Sequence, residues 1–192
     1  MKVNEIFYSL QGEGYHTGTP ATFVRFSGCN LKCPFCDTDF KHSVEMSEEQ
    51  IVDAVSVNPS PLVVITGGEP SIQLTFSLVN KLHAIGRYVA VETNGTKKLP
   101  ANVDWITISP KQAYVGDKGN QVYHTANEVK VVFDGVHPVS DYGVNAQHYY
   151  LQPCDTGNNE KNREIIDNCV EYIKKNPKWK LSLQTQKILN VR

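Results

Sequence analysis

Seven short β-rich runs, most of them bounded by Gly, Pro or Asn, constrain this chain more than any other feature. They are "ATFVRFSG" (21–28), "PLVVITGG" (61–68), "RYVAVETNG" (87–95), "VDWITISP" (103–110), "EVKVVFDG" (128–135), "HYYLQP" (148–153) and "KLSLQT" (180–185). Most are near-continuous apolar runs rather than strict alternations, the pattern of parallel strands covered on both faces. Helical patterns lie between several of them. Ser47 and Gln50 form a capping-box signature ahead of Ile51, Val52, Ala54 and Val55. Residues 71–85 place Ile72, Phe76, Val79 and Leu82 at helical spacing, with Gly86 where a C-cap belongs. Residues 160–176 put Ile165, Ile166, Cys169, Val170 and Ile173 on one side, and Pro177 ends that helix. Strands alternating with helices predict an α/β fold. The N-terminal stretch, 3–26, reads differently, as an extended segment, a Gly-rich loop and a second strand.

At 192 residues the chain holds one sizeable core and is short for two, so residues 1–192 are expected to form a single domain. With 19 basic against 20 acidic side chains, scattered rather than striped, a nucleic-acid partner is not indicated. The chain contains neither an apolar run of membrane-spanning length nor a signal-peptide pattern, which predicts a cytoplasmic protein with no membrane partner. Its five cysteines are an odd number, and a reducing compartment keeps thiols free, so a disulfide framework fits neither.

The thiols of Cys29, Cys33 and Cys36, in "GCNLKCPFCDTDF" (28–40), therefore need another explanation. The C-x3-C-x2-C spacing lets three thiolates converge on one centre. A cubane iron–sulfur cluster has four irons, so three cysteines leave one iron open and reactive. A zinc site built from the three cysteines and His42 is the alternative, although no second C-x2-C pair exists in the chain. Cys154 and Cys169 stand far off and read as a loop thiol and a small core residue.

With Phe35 just before the last cysteine, the motif resembles the signature of the radical S-adenosylmethionine (SAM) enzymes. That resemblance implies a 4Fe-4S cluster whose open iron is chelated by SAM, and a 5′-deoxyadenosyl radical formed by one-electron cleavage. It also implies an incomplete, TIM-like α/β barrel of about six parallel strands, with SAM and substrate across its C-terminal mouth. Phe35, Cys36 and Asp37 would then adjoin SAM, and Gly67 and Gly68 in "VVITGGEP" would let the backbone approach its amino group. Ser109, Pro110 and Lys111, in "ISPK", would meet its ribose and carboxylate, and Gln152, in "LQPCD", its adenine. Glu92 and Asn94 end a strand similarly, but a solvated turn explains them nearly as well.

"FYSLQGEG" (7–14), Arg25 and "CDT" (36–38) together resemble one family of that superfamily, the 7-carboxy-7-deazaguanine synthases. The likeness runs from Phe7 through "LSLQTQK" (181–187). It implies a lyase that contracts the ring of 6-carboxy-5,6,7,8-tetrahydropterin, releasing ammonia and regenerating SAM. It also implies an external, flavodoxin-like electron donor and a homodimer. The pterin would be held by Leu10, Gln11, Gly12, Glu13, Thr66 and Gln186, and Arg25, a costly charge within an apolar strand, would take its carboxylate. Mg²⁺ would sit on the Thr38 hydroxyl. The apolar Ile188, Leu189 and Val191 suggest that the chain end folds back over the mouth, bringing the α-carboxylate of Arg192 to the pterin. One departure is Gln186, where the family has His; an amide does not titrate near neutral pH. The rival readings are a radical SAM activase acting on a protein glycine and a non-enzymatic iron–sulfur or zinc protein.

Overall fold

The computed structural model describes residues 1–36, 38 and 42–191, and in it all seven β-rich runs contribute strands to one sheet. The strands are β1 (Lys2–Leu10), β2 (Pro20–Phe26), β3 (Val44–Glu45), β4 (Leu62–Gly67), β5 (Tyr88–Thr93), β6 (Trp105–Ile108), β7 (Thr125–Phe133), β8 (Asn145–Pro153) and β9 (Lys180–Leu181). Their order is β3-β1-β2-β4-β5-β6-β7-β8-β9. Every pairing from β2 to β9 is parallel, and β1 runs antiparallel to both of its neighbours. The six longer parallel strands, β2 and β4–β8, match the expected number. The edge strands β3 and β9 do not pair, so the sheet is an open, incomplete barrel.

Alternation within the strands decides what faces the barrel interior. Val24 and Phe26 of β2, Val63 and Ile65 of β4, and Val89 and Val91 of β5 point outward into a core with Ile51, Val55, Leu78, Val79 and Leu82. These come from the helices α1 (Glu48–Ser56) and α2 (Phe76–Ala84). Val129, Val131 and Phe133 of β7 and Leu151 of β8 pack outward on Ile165 and Cys169 of α4 (Asn159–Lys175). The opposite face carries Ala21, Phe23, Val64, Ala90 and Trp105, a thin apolar lining. Above that lining, the same alternation leaves Arg25, Glu92, Lys130 and Gln152 facing inward.

The capping box forms as expected: Ser47 Oγ accepts the Gln50 N–H at 3.2 Å and Gln50 Oε1 accepts the Ser47 N–H at 2.8 Å, a feature worth about 1 kcal/mol. Two expected elements differ. The 71–85 pattern divides into a 3₁₀ turn (Pro70–Ile72) and α2, because the Thr75 hydroxyl accepts the Leu78 N–H and starts a new helix. Ile72 and Phe76 therefore lie exposed, and Leu74, Leu78, Val79 and Leu82 form the buried stripe. The last strand is only Lys180–Leu181; the chain then turns into a short helix, α5 (Thr185–Leu189), where the Thr185 N–H bonds the Gly12 carbonyl at 3.1 Å. Among the described residues no helix is long and apolar enough to cross a membrane.

Candidate active site

The C-terminal ends of the parallel strands share one mouth, as in any parallel barrel, and polar groups gather there. A cavity of about 240 Å³ is lined by Thr66, Gly67 and Gly68 at the end of β4, Glu92 and Asn94 at β5, and Ser109 and Lys111 after β6. Gln152 and Cys154 at β8 also line it, and Cys29, Cys33, Phe35, Cys36 and Thr38 form the rest of the wall. The spacing therefore brings all three expected thiols to one cavity. Cys29 and Cys33 are partly buried and Cys36 is exposed. Burial pushes the thiols of Cys29 and Cys33 up, and the neighbouring cysteines add to it, while Lys111 pulls Cys33 the other way. Iron ligation must displace those protons, as expected for thiolate ligands gathered for a cationic centre. Among the described residues no three His, Cys, Asp or Glu side chains stand close enough to share one metal ion, whereas a cubane binds each cysteine at a different iron. His42 is exposed and does not line this wall.

Gly67 and Gly68 have a nearer purpose than approach to a ligand. A Cβ on Gly67, at φ +122°, would stand 2.1 Å from the Phe26 carbonyl oxygen, and one on Gly68 would stand 1.8 Å from that of Gly28. The two glycines let the end of β4 lie against the cysteine loop. Glu69 then fixes β4 to β5. Fully buried, its carboxylate accepts from the Ser71 N–H at 3.0 Å, the Thr93 hydroxyl at 2.6 Å and the Asn94 N–H at 2.8 Å. The cavity wall is thus rigid where a cofactor would meet it. Lys111 donates to Ser109 Oγ at 2.5 Å and lies 5.5 Å from the centre of the Phe35 ring. Burial lowers the pKa of its amine. Three thiols beside glycine backbone, a hydroxyl and a buried cation suit an iron–sulfur cluster carrying an amino-acid ligand.

A second cavity, about 140 Å³, adjoins the first and shares Glu13, Arg25, Thr66, Glu92 and Gln184 with it. Phe7 and Phe23, stacked at 4.8 Å across β1 and β2, line it with Leu10, Gln11, Gly12 and Gln186. The "QGEG" loop reaches it from the far end of the barrel, since Leu10 pairs with Pro20 at the start of β2. Its side chains then turn inward. Gln11 Nε2 donates to Glu92 Oε1 at 3.0 Å, and Glu13 meets Lys130 at 2.5 Å. Burial alone would raise the Glu13 pKa, but Lys130 and hydrogen bonds from Lys130, Gln186 and Gln184 hold it down to about 2. Arg25 Nε donates to Glu5 Oε1 at 2.9 Å, with its side chain about a quarter exposed. It lines both cavities, so it faces the barrel interior.

The chain end does fold back on this site, through two glutamine side chains. Gln184 and Gln186 donate to Glu13 Oε1 at 3.2 and 3.0 Å, while Ile188 and Leu189 are exposed. Among the described residues Gln186 Oε1 is buried without a hydrogen-bond partner, packed against Gly12. Of the expected site residues, Pro110 is buried and does not line either cavity. Asp37 and Arg192 lie outside the described residues. Cys154 lines the mouth at the end of β8, and Cys169 is buried in the α4 core, its thiol pushed up to about 12 by burial.

Of three charged residues in this interior, the sequence singles out Glu92 as a strand-end candidate and gives no role to Lys130 or Glu128. Glu92 belongs to a strand rather than a solvated turn, and Lys130 and Glu128 alternate inward along β7. A lysine and a glutamate two apart in "EVKVVF" were the available signal. Glu128 is 2% exposed and accepts the Tyr15 N–H at 3.0 Å. Burial, opposed by Lys130, raises its pKa from the ordinary 4.5 to about 7. The folded state thus binds a proton that the unfolded chain releases at lower pH. The resulting stability is fully present below about pH 4.5 and is lost as pH rises through about 7, on the order of 3 kcal/mol in all. Glu128→Gln, which keeps an acceptor for Tyr15, should match the parent at about pH 4 and exceed its stability by up to about 3 kcal/mol at about pH 8.5. Denaturant unfolding at both pH values checks this, and an equal difference at each would contradict it.

Residues 23–176 match the radical SAM superfamily. The whole chain aligns, at 48% identity, with 98% of the 7-carboxy-7-deazaguanine synthase of Bacteroides thetaiotaomicron. The enzyme of the same name from Haemophilus influenzae is 39% identical, over 97% of this chain and 92% of that one. Among solved structures, QueE from Escherichia coli superposes with a TM-score of 0.69 at 28% identity, covering 96% of this chain and 93% of that one.

Proposed function

This chain belongs to the radical SAM superfamily and, within it, to the 7-carboxy-7-deazaguanine synthases, and on that premise we propose that it converts 6-carboxy-5,6,7,8-tetrahydropterin to 7-carboxy-7-deazaguanine with loss of ammonia. When bound, the family's 4Fe-4S cluster and SAM supply a radical that takes the hydrogen at C6 and returns it after rearrangement. The observation that carries the reading is the pair of adjoining cavities. The three thiols line one, two stacked phenylalanines line the other, and Glu13, Arg25, Thr66, Glu92 and Gln184 belong to both. A flat heterocycle in the second cavity would present its reacting edge to a cofactor in the first.

In this reading Arg25 receives the substrate carboxylate as a charged donor. Leu10, Gln11, Gly12, Glu13 and Thr66 hold the pterin, and Gln186, which lines the same cavity and donates to Glu13, joins them. An amide at 186 serves by hydrogen bonding alone, so no proton passes through that position. Phe35, Gly68, Ser109, Lys111 and Gln152 would hold SAM, and Thr38 with substrate oxygens would hold Mg²⁺. Asp37 beside SAM and Arg192 beside the pterin complete the proposed set. We read the 192 residues as one radical SAM domain, cytoplasmic and homodimeric, reduced by an external flavodoxin-like donor. The alternatives, a protein-glycine activase or a non-enzymatic iron–sulfur or zinc protein, have no counterpart among the relatives named above.

The reading is tested with anaerobically purified, cluster-loaded protein given a reductant, SAM and the carboxytetrahydropterin. Ammonia and the deazaguanine should appear together. Cleavage of SAM with the pterin left intact would sink the proposal.

A further inference from the structure

Lys130 sits in mid-strand on β7, 4% exposed, where a lone ammonium is strongly disfavoured. Its Nζ stands 2.5 Å from Glu13 Oε2 and 3.2 Å from Glu92 Oε2. One buried cation thus ties the "QGEG" loop and β5 to β7. The other oxygen of each carboxylate takes amide donors: Gln184 and Gln186 on Glu13, and Gln11 on Glu92. Two carboxylates offer about eight acceptor sites between them, so capacity remains toward both cavities, which both residues line.

Resting on the reading that these cavities take a pterin, we propose that Lys130 is the positioning residue of the substrate site, its ammonium fixing Glu13 and Glu92 as one charged acceptor wall for the N–H groups of an aminopyrimidinone edge. Two carboxylates turned toward the same buried point repel unless a counter-ion stands between them. The remaining charged groups near this point are Glu128 on the same face of β7, Lys111 after β6, and Arg25 on β2, which is paired with Glu5. Among the described residues no other ion pair reaches Glu13 or Glu92. A purely structural buried pair would hold the fold equally well without making ligand binding depend on pH. That difference separates the two roles.

The test compares cluster-loaded parent, Lys130→Met and Lys130→Arg. Lys130→Met should keep the parent's iron content and SAM affinity, yet raise the pterin KM about tenfold at about pH 8.5. The rise should grow as pH falls toward about 6, because two uncompensated carboxylates come to share a proton and the neutral partner is the poorer acceptor. The parent's pterin KM should stay flat over that range, and Lys130→Arg should restore a flat profile within about threefold of the parent. A Lys130→Met enzyme whose pterin KM equals the parent's, or is raised without any change of pH profile, overturns the inference. If Lys130→Met takes up no cluster, calorimetry of pterin binding to the parent decides, run without reductant in two buffers of different ionisation heat. No net proton uptake supports the charged wall, and uptake of a proton overturns it. A parent that does not bind the pterin refutes the functional reading itself, whereas normal parent binding with an indistinguishable Lys130→Met refutes only this inference.

Discussion

Serine in place of any one of Cys29, Cys33 or Cys36 is expected to abolish both the iron–sulfur cluster and turnover. The three thiols share one cavity wall, and a hydroxyl is a poor substitute for thiolate at iron. Cys154→Ser and Cys169→Ser serve as the internal comparison. Cys154 lies across the mouth at the end of β8, and Cys169 packs against β7 and β8 with no exposure. Iron and sulfide content after anaerobic reconstitution should fall in the first three variants and stay at the parent level in the last two. Loss of the cluster from Cys154→Ser or Cys169→Ser alone would break the assignment. Cys169→Ser should still lose stability, by about 1–3 kcal/mol, because it buries a hydroxyl among apolar neighbours.

The second large effect concerns Arg25. Its side chain is a quarter exposed, lines both cavities and spends its Nε on Glu5. The terminal nitrogens carry the charge available to a substrate carboxylate. Arg25→Ala should raise the pterin KM by about 10- to 100-fold, or about 1.4–2.8 kcal/mol of lost binding, with cluster content and SAM affinity unchanged. Glu5→Gln keeps the guanidinium and should change pterin KM by less than about threefold. Equal pterin kinetics in Arg25→Ala and the parent would remove Arg25 from the substrate site.

What could be read from the sequence was what local chemistry encodes. Ser47 and Gln50 announce their helix because the capping box needs only residues three apart. The three cysteines and the strand runs are equally local. Glu92 and Lys130 could not be placed that way. Their meaning depends on partners 38 and 117 positions distant, brought together only by the parallel order of β5, β6 and β7 and the inward "QGEG" loop. The alternation that points them inward is masked because the outer face of each strand is also apolar. Gly67 and Gly68 line the cavity, and the backbone that their missing Cβ atoms accommodate is that of Phe26 and Gly28, a contact no local pattern announces. The chain end folds back through Gln184 and Gln186, polar residues satisfying Glu13, and not through the apolar side chains that suggested the fold-back.

The central claim, that the two cavities let a hydrogen leave C6 of the pterin and return within one enclosed site, meets its most direct test in a label. Cluster-loaded enzyme is given limiting unlabelled SAM, excess 6-carboxy-5,6,7,8-tetrahydropterin deuterated at C6, and reductant. The account predicts that 7-carboxy-7-deazaguanine accumulates to many equivalents per SAM while deuterium appears in the recovered SAM. One product per SAM consumed, or 5′-deoxyadenosine without the deazaguanine, would contradict it.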